Sequence, residues 1–325
     1  MGEAVAQDSI EVWIGTHGAD GIFQFDLNKK SGKMTEPKRA AKLASAGFLV
    51  MNQDGSRLYS TGRHDGNVGY VASFEVDRGG EGPKLKPLNT QEIGDSGAAH
   101  LNVDRDFAWL MSAQYGGSSI AVFPLQTDGT IGARQQFIKH TGGSRVVGNR
   151  QDDPHPHWIG PSPNNRLICV PDLGLDAVVV YELSADGLTE KSKVPLTPGS
   201  GPRHMKFHTN GKWAYVLNEF SLTVSVFDFD EEQAKFNLVQ EIASLPDDLK
   251  SEKYLDAGAE IRIHPNGKWV YTSNRGHDSI TVFSINAATG KLAFLQREPI
   301  HGSWPRNFAL DPSGKWLLAA GRNTN

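Results

Sequence analysis

Arginine, histidine and glutamate are the side chains of this sequence whose spacing suits acid–base and anion chemistry. Arg203 and His204 open one short β-prone run, Glu219 ends the next, and Asn210-Gly211 stands between the two runs. An Asn-Gly pair so placed is a strong hairpin signal, and in an antiparallel pair the start of one strand lies beside the end of the other. The spacing therefore brings Arg203 and Glu219 together at the hairpin end remote from the turn. A guanidinium grips carboxylate or phosphate through a fixed fork of donors, whereas imidazole and carboxylate move protons. His155, His157, Glu260, Arg275, His277 and Arg306 take related places elsewhere in the chain. Each alone reads as a weak surface pair. Converging on one concave site, they read as an acid–base centre for an anionic ligand.

The elements that must position these groups repeat at a period of about fifty residues, the mark of a propeller or solenoid. The residues that follow successive turns are Leu58, Trp109, Leu167, Trp213, Trp269 and Trp316, at steps of 46 to 58 residues. In the unit containing Arg203 four short strands are predicted: Met205–His208, Ala214–Leu217, Thr223–Phe229 and Phe236–Ile242. The third strand recurs most legibly, as Gly21–Leu27, Tyr70–Val76, Ser119–Leu125, Ala177–Leu183 and Ser279–Ile285. Each run is rich in Val, Ile, Phe and Tyr, as a half-buried strand requires. No stretch between turns keeps a helical apolar period.

Val12–Gly15 fits a second strand with Gly21–Leu27 as its third, and the last unit supplies only Asn307–Leu310 and Trp316–Ala319. The expected fold is all-β: a seven-bladed β-propeller of four-stranded antiparallel blades, one domain over residues 1–325. Two strands after Asn325 and one in the first blade would be needed to complete it, so the last blade and ring closure are expected to be incomplete. Ten positions before the aligned residues stand Phe48, Ala99, His157, Arg203, Ala259 and Arg306. Six positions after them stand His64, Tyr115, Leu173, Glu219, Arg275 and Arg322. Antiparallel geometry places both sets at one mouth of the ring and the turn tips at the other.

Composition narrows the classes. A hydrophobic share of 38% with 35 Gly and 17 Pro suits a turn-rich β protein, and a net charge of −4 gives no general pull toward nucleic acid or anionic membrane. The single cysteine, Cys169, lies in the apolar run Leu167–Val170 and is expected to be a buried thiol, not a nucleophile. No stretch approaches the roughly 20 apolar residues of a membrane span. The N-terminus has no intact signal peptide, although Ala4-Val5-Ala6 resembles a cleavage remnant, so the default compartment is cytoplasm with a processed exported form as the alternative. Gly94-Asp95-Ser96-Gly97 imitates a serine-protease nucleophile loop but lacks a triad context. His155-Pro156-His157 could begin a metal site, yet no further ligand stands at local spacing, and no zinc or phosphate-loop motif occurs. No metal or cofactor is expected.

Gln151–His157, Gly201–His204 with Leu217–Glu219, Glu260–Arg262, Ser273–Asp278 and Pro305–Phe308 together resemble the seven-bladed propeller lactonases. That family contains bacterial 6-phosphogluconolactonase and the fungal 3-carboxy-cis,cis-muconate lactonizing enzyme, and the resemblance spans essentially the whole chain. It implies a catalytic set of His157, Arg203, Glu219 and Arg275. It also implies hydrolysis of a sugar lactone, first 6-phosphoglucono-δ-lactone, a step of the pentose phosphate pathway. His157 or Glu219 would be the general base, with His157 favoured because imidazole titrates near neutrality. Arg203 and Arg275 would hold the phosphate and the developing oxyanion, with His155, His204, Arg306, Asn218 and Asn274 as further substrate contacts. The alternatives are muconate-type cycloisomerisation and a non-catalytic propeller that binds an anionic sugar or a partner protein. Oligomeric state is not legible.

Overall fold

The structure is a computed structural model that describes residues 8–16, 21–79, 84–251 and 256–324; Ala4-Val5-Ala6 lies outside them. Strands dominate, and the helical turns described are two 3-10 segments, Asp65–Asn67 and Asp247–Leu249. No described helix is long and apolar enough to cross a membrane.

Seven antiparallel sheets follow one another along the chain, the first of three strands, the next five of four and the last of two. The first holds Ser9–Thr16, Gly21–Asn28 and Lys38–Lys42, so the expected second and third strands of an opening unit are in place. The fifth holds Pro202–Phe207, Trp213–Asn218, Thr223–Asp230 and Lys235–Ala243, paired in that order. Within the five complete sheets, strands run in sequence order across the sheet, and the opening strand of one packs on the opening strand or hairpin of the next. This is β-propeller topology.

The core is divided among the sheet interfaces. Met205, Val216 and Phe227 of the fifth sheet pack on Cys169, Val178 and Val180 of the fourth, while its other face, through Tyr215, Leu217 and Val226, packs on Ile261, Val270 and Phe283 of the sixth. Period-2 alternation thus feeds two neighbouring interfaces from every strand, which is why the third-strand runs read as continuously apolar. Cys169 is fully buried there, and its thiol pKa is pushed up by burial, as expected of a structural cysteine.

The turn of the last sheet reaches the first sheet. Trp316 Nε1 donates to Lys29 O at 2.9 Å, and Lys315 Nζ donates to Lys29 O and Lys30 O at 3.3 and 3.2 Å. The final two-stranded sheet, Pro305–Leu310 with Leu317–Gly321, therefore lies against the first sheet. As expected, the last sheet is short of strands; among the described residues none of its strands pairs with the first sheet, and its turn reaches across by the bonds above.

One local departure matters for the site. The first strand of the fifth sheet begins at Pro202 rather than Met205 because a bulge extends it: Pro202 pairs with Asn218 and His204 with Leu217, leaving Arg203 as the extra residue. The same irregularity leaves out Ala99 between Ala98 and His100, Ala259 and Glu260 between Gly258 and Ile261, and Arg306 between Pro305 and Asn307. In the fourth sheet the corresponding strand is reduced to Gly160–Pro161, with Pro156 bridged separately to Asp172. A bulge breaks strict in–out alternation, so two successive side chains can be buried at the axial end of each strand.

Candidate active site

Glu219 is the hub. It directly follows the second strand of the fifth sheet, is 4% exposed, and meets three guanidinium groups. Arg203 Nε donates to its Oε2 at 2.9 Å, Arg275 of the sixth sheet approaches the same oxygen at 2.9 Å, and Arg150 donates to Oε1 at 2.8 Å. Burial by itself would raise the Glu219 pKa, but Arg275 and Arg203, together with the Arg150 hydrogen bond, outweigh it and bring it down to about 2. The carboxylate is a fixed anion whose lone pairs are taken. The arginines are fixed in turn. Arg203 also donates to Ala259 O, and Arg275 donates to Gly258 O at 2.9 Å, with its guanidinium 5.5 Å from the centre of the Trp304 ring. Burial, then the Arg275 charge, lowers the Arg203 pKa to about 9, which leaves it cationic at neutral pH.

His157 arrives on the segment between the third and fourth sheets. Gln151 pins that segment by accepting from Val147 N and donating to Leu173 O and Asp176 Oδ1, and Asp172 Oδ1 accepts from His155 N at 2.7 Å. Asp172 is itself fixed by His140 Nδ1 at 2.6 Å, whose Nε2 lies 2.8 Å from the Tyr181 hydroxyl. The His157 ring is buried with its Nδ1 unpartnered, 5.5 Å from the Tyr115 ring and 5.2 Å from the His204 ring. Burial, followed by the charges of Arg203, His204 and Arg306, holds its pKa well below the ordinary histidine value. It is therefore neutral at pH 7 with a nitrogen available. Arg306, held on its bulge, makes no hydrogen bond or ion pair with a described side chain, while Arg275 and Glu219 lie near enough to influence its ionisation.

The predicted residues thus separate into groups. His157, Arg203, Glu219, Arg275 and Arg306 converge. His155 lies beside them in a supporting place, stacked on Tyr115 at 4.3 Å with its Nδ1 2.7 Å from Tyr115 O. His204 sits one tier along the axis, its Nδ1 3.2 Å from Glu260 Oε1 but off the line of a hydrogen bond; burial lowers its pKa to about 3 although Glu260 opposes this. Asn218 and Asn274 point back into their own sheets, where the Asn218 amide donates to Thr223 and Ser225, and that of Asn274 to Ser279 and Thr281. They brace strands and are not brought to Glu219.

Sequence reasoning missed Arg150, which joins Glu219 to the Tyr115 hydroxyl at 3.1 Å and lies over the Phe220 ring at 4.7 Å. It also missed His100, 5.5 Å from the His204 ring and 4.0 Å from that of Phe48. His100 directly follows Ala99, which the repeat places at the mouth, and that adjacency is the signal that could have found it. Arg150 stands in a loop with no repeat position to mark it. Ser96, in the protease-like loop, has no triad: its neighbour Asp95 accepts from Ser119 Oγ and Lys139 Nζ. Among the described residues no group of three or more His, Cys, Asp or Glu side chains is arranged to hold a metal ion.

Comparison with known proteins bears on the family and the fold. The family described as lactonase, seven-bladed β-propeller, matches residues 11–325. A 6-phosphogluconolactonase of Bacillus subtilis is 35% identical over 96% of this chain and 88% of its own length. One of Formosa agariphila is 35% identical over 94% of this chain and 86% of its own. The solved periplasmic gluconolactonase of Pseudomonas aeruginosa superposes with a TM-score of 0.90 at 27% identity, covering 97% of this chain and 89% of that one. With the match running through every sheet, this chain belongs to the lactonase family of β-propellers.

Proposed function

We propose that this protein hydrolyses a sugar lactone, 6-phosphoglucono-δ-lactone being the first candidate, to the open-chain acid. The observation that carries the reading is the imbalance at the hub. Glu219 satisfies Arg150, Arg203 and Arg275, and a further cation, Arg306, stands unpaired among the described residues beside a neutral His157 with a free ring nitrogen. Such a site attracts an anion and offers it one base.

In the reaction, water attacks the lactone carbonyl carbon while the His157 imidazole takes the proton. The carbonyl electron pair moves to oxygen, and that oxyanion faces the guanidinium groups. Collapse restores the carbonyl and breaks the bond to the ring oxygen, which leaves as a hydroxyl after taking the proton from His157. Glu219 is too acidic and too fully occupied to be the base; its part is to position the arginines. The low basicity of His157 rises once an anionic substrate offsets the charge of Arg203 and Arg306.

The relatives named 6-phosphogluconolactonase support the phosphorylated substrate, and the named gluconolactonase supports a plain aldonolactone as the second reading. Initial rates on both lactones, with a carboxymuconolactone as a third substrate, test this. Turnover of the phosphorylated lactone at least about tenfold above the plain one in kcat/KM is expected, the factor one extra charge-assisted contact supplies. The reverse ratio reassigns the substrate, and no lactone turnover removes the reading.

A further inference from the structure

A cleft opens at the turn end of the inner strands, beside the last residues of Leu49–Met51, Ala98–Val103 and Pro202–Phe207. Its volume is about 410 Å³, within the range of small-ligand sites. Lys206, two positions along its strand from His204, projects here with its Nζ 5.0 Å from the centre of the Trp158 ring. That ammonium has no hydrogen bond or ion pair among the described residues. Trp158 is 3% exposed, and its Nε1 is buried without an acceptor. Arg105 engages Ser162 O through Nε alone, and Asn102 uses its Oδ1 on Val103 N, leaving the rest of the guanidinium and the amide NH2 unengaged.

The cleft has one carboxylate, Asp104, and it is already committed. Its oxygens accept from Ala108 N, Trp109 N and Asn165 Nδ2 at 2.7 to 2.9 Å. One buried donor, Trp158 Nε1, and three solvent-accessible ones on Lys206, Asn102 and the exposed Arg105 thus lie around a cleft whose walls include Met51 and Phe207. A buried polar atom without a partner in a native protein points to a missing acceptor. Phe48, His100 and His204, in ring contact, separate this cleft from Glu219.

We propose that this cleft is a second ligand site, separate from the lactone site, for a small organic anion whose carboxylate or phosphoryl head meets Lys206, Arg105 and Trp158 while an apolar body lies on Met51 and Phe207. Confinement, and then the nearby Arg262, lowers the Lys206 pKa to about 8, so the amine is also unusually open to acylating reagents in the empty protein.

The test uses the full chain with benzoate and phenyl phosphate as probes, followed by calorimetry. Binding of at least one probe is expected, weakened about tenfold or more by Lys206→Met and by Arg105→Gln, the loss of one charge-assisted contact. Arg275→Ala should leave that binding in place, and the two cleft variants should keep lactone turnover. Which probe binds more tightly identifies the head group. In the unmodified protein, acylation of Lys206 read by mass spectrometry should slow when the tighter probe is added, a readout that does not depend on a variant folding. Absence of binding, no protection of Lys206, or binding lost in Arg275→Ala but kept in Lys206→Met would each overturn the proposal.

Discussion

Glu219 draws its counter-charges from Arg203 on its own hairpin, Arg275 on the next sheet and Arg150 on a loop. Two of those arginines are buried, so removing the carboxylate strands them without compensation. Glu219→Gln should lower stability by about 3–5 kcal/mol, the usual cost of breaking a buried pair, with turnover falling about 10²-fold as the arginines lose their geometry. Urea unfolding beside steady-state kinetics checks this, and wild-type values in both would show that Glu219 is dispensable. His157 should behave differently. His157→Asn deletes the base, expected to cost about 10²–10⁴-fold in kcat, yet it removes an unpartnered ring and strands no charge, so it should cost less stability than Glu219→Gln. Because the His157 pKa is depressed, the acid limb of kcat/KM should lie below the ordinary histidine value of 6.5. A limb at or above that value would assign the base elsewhere.

The elements that deliver these residues are inner hairpins with a bulge at one end and a tight turn at the other. The turns share a bond from the fourth residue's N–H to the first residue's carbonyl: Gly211 to His208, Gly267 to His264, Gly314 to Asp311. The fourth residue has positive φ, 74° at Gly211 and 75° at Gly314, so alanine at either costs about 1–2 kcal/mol from the backbone. The two positions differ in their surroundings. A methyl at Gly211 meets Pro163 at 3.6 Å, an ordinary contact, whereas one at Gly314 collides with the His264 ring, which is bound to Gly314 O at 3.1 Å. Gly314→Ala should therefore destabilise clearly more than Gly211→Ala in urea unfolding. Equal losses would mean that the His264 ring yields freely.

Across the whole molecule, the axis carries three imidazoles kept neutral by burial: His100 and His157 held well below the ordinary histidine value, and His204 lowered to about 3. A pKa depressed in the folded state means that the unfolded chain binds protons first as pH falls. The stability these groups contribute is complete above pH 6.5 and is lost progressively below it. Stability should therefore fall between pH 7.5 and pH 5.5, with Glu219 adding its loss only below about pH 4.5. Unfolding free energies at those two pH values measure it. A change under about 1 kcal/mol would show that the axis protonates without unfolding.

By itself the sequence determined the repeat, the strand order and the end of the hairpins at which the charged residues gather. Those follow from local chemistry: period-2 alternation, turn residues and antiparallel pairing relate positions within about fifty residues of one another. Tertiary structure decided what each polar residue does. Asn218 and Glu219 are adjacent, yet one braces its sheet and the other collects three arginines, because a strand turns successive side chains to opposite faces. The bulges then let Arg203 and His204 both face inward, which alternation forbids. Arg150 and the triple occupation of the Glu219 carboxylate were invisible in sequence for a single reason. Both depend on which charges surround a carboxylate after folding, and those charges come from segments far apart in the chain.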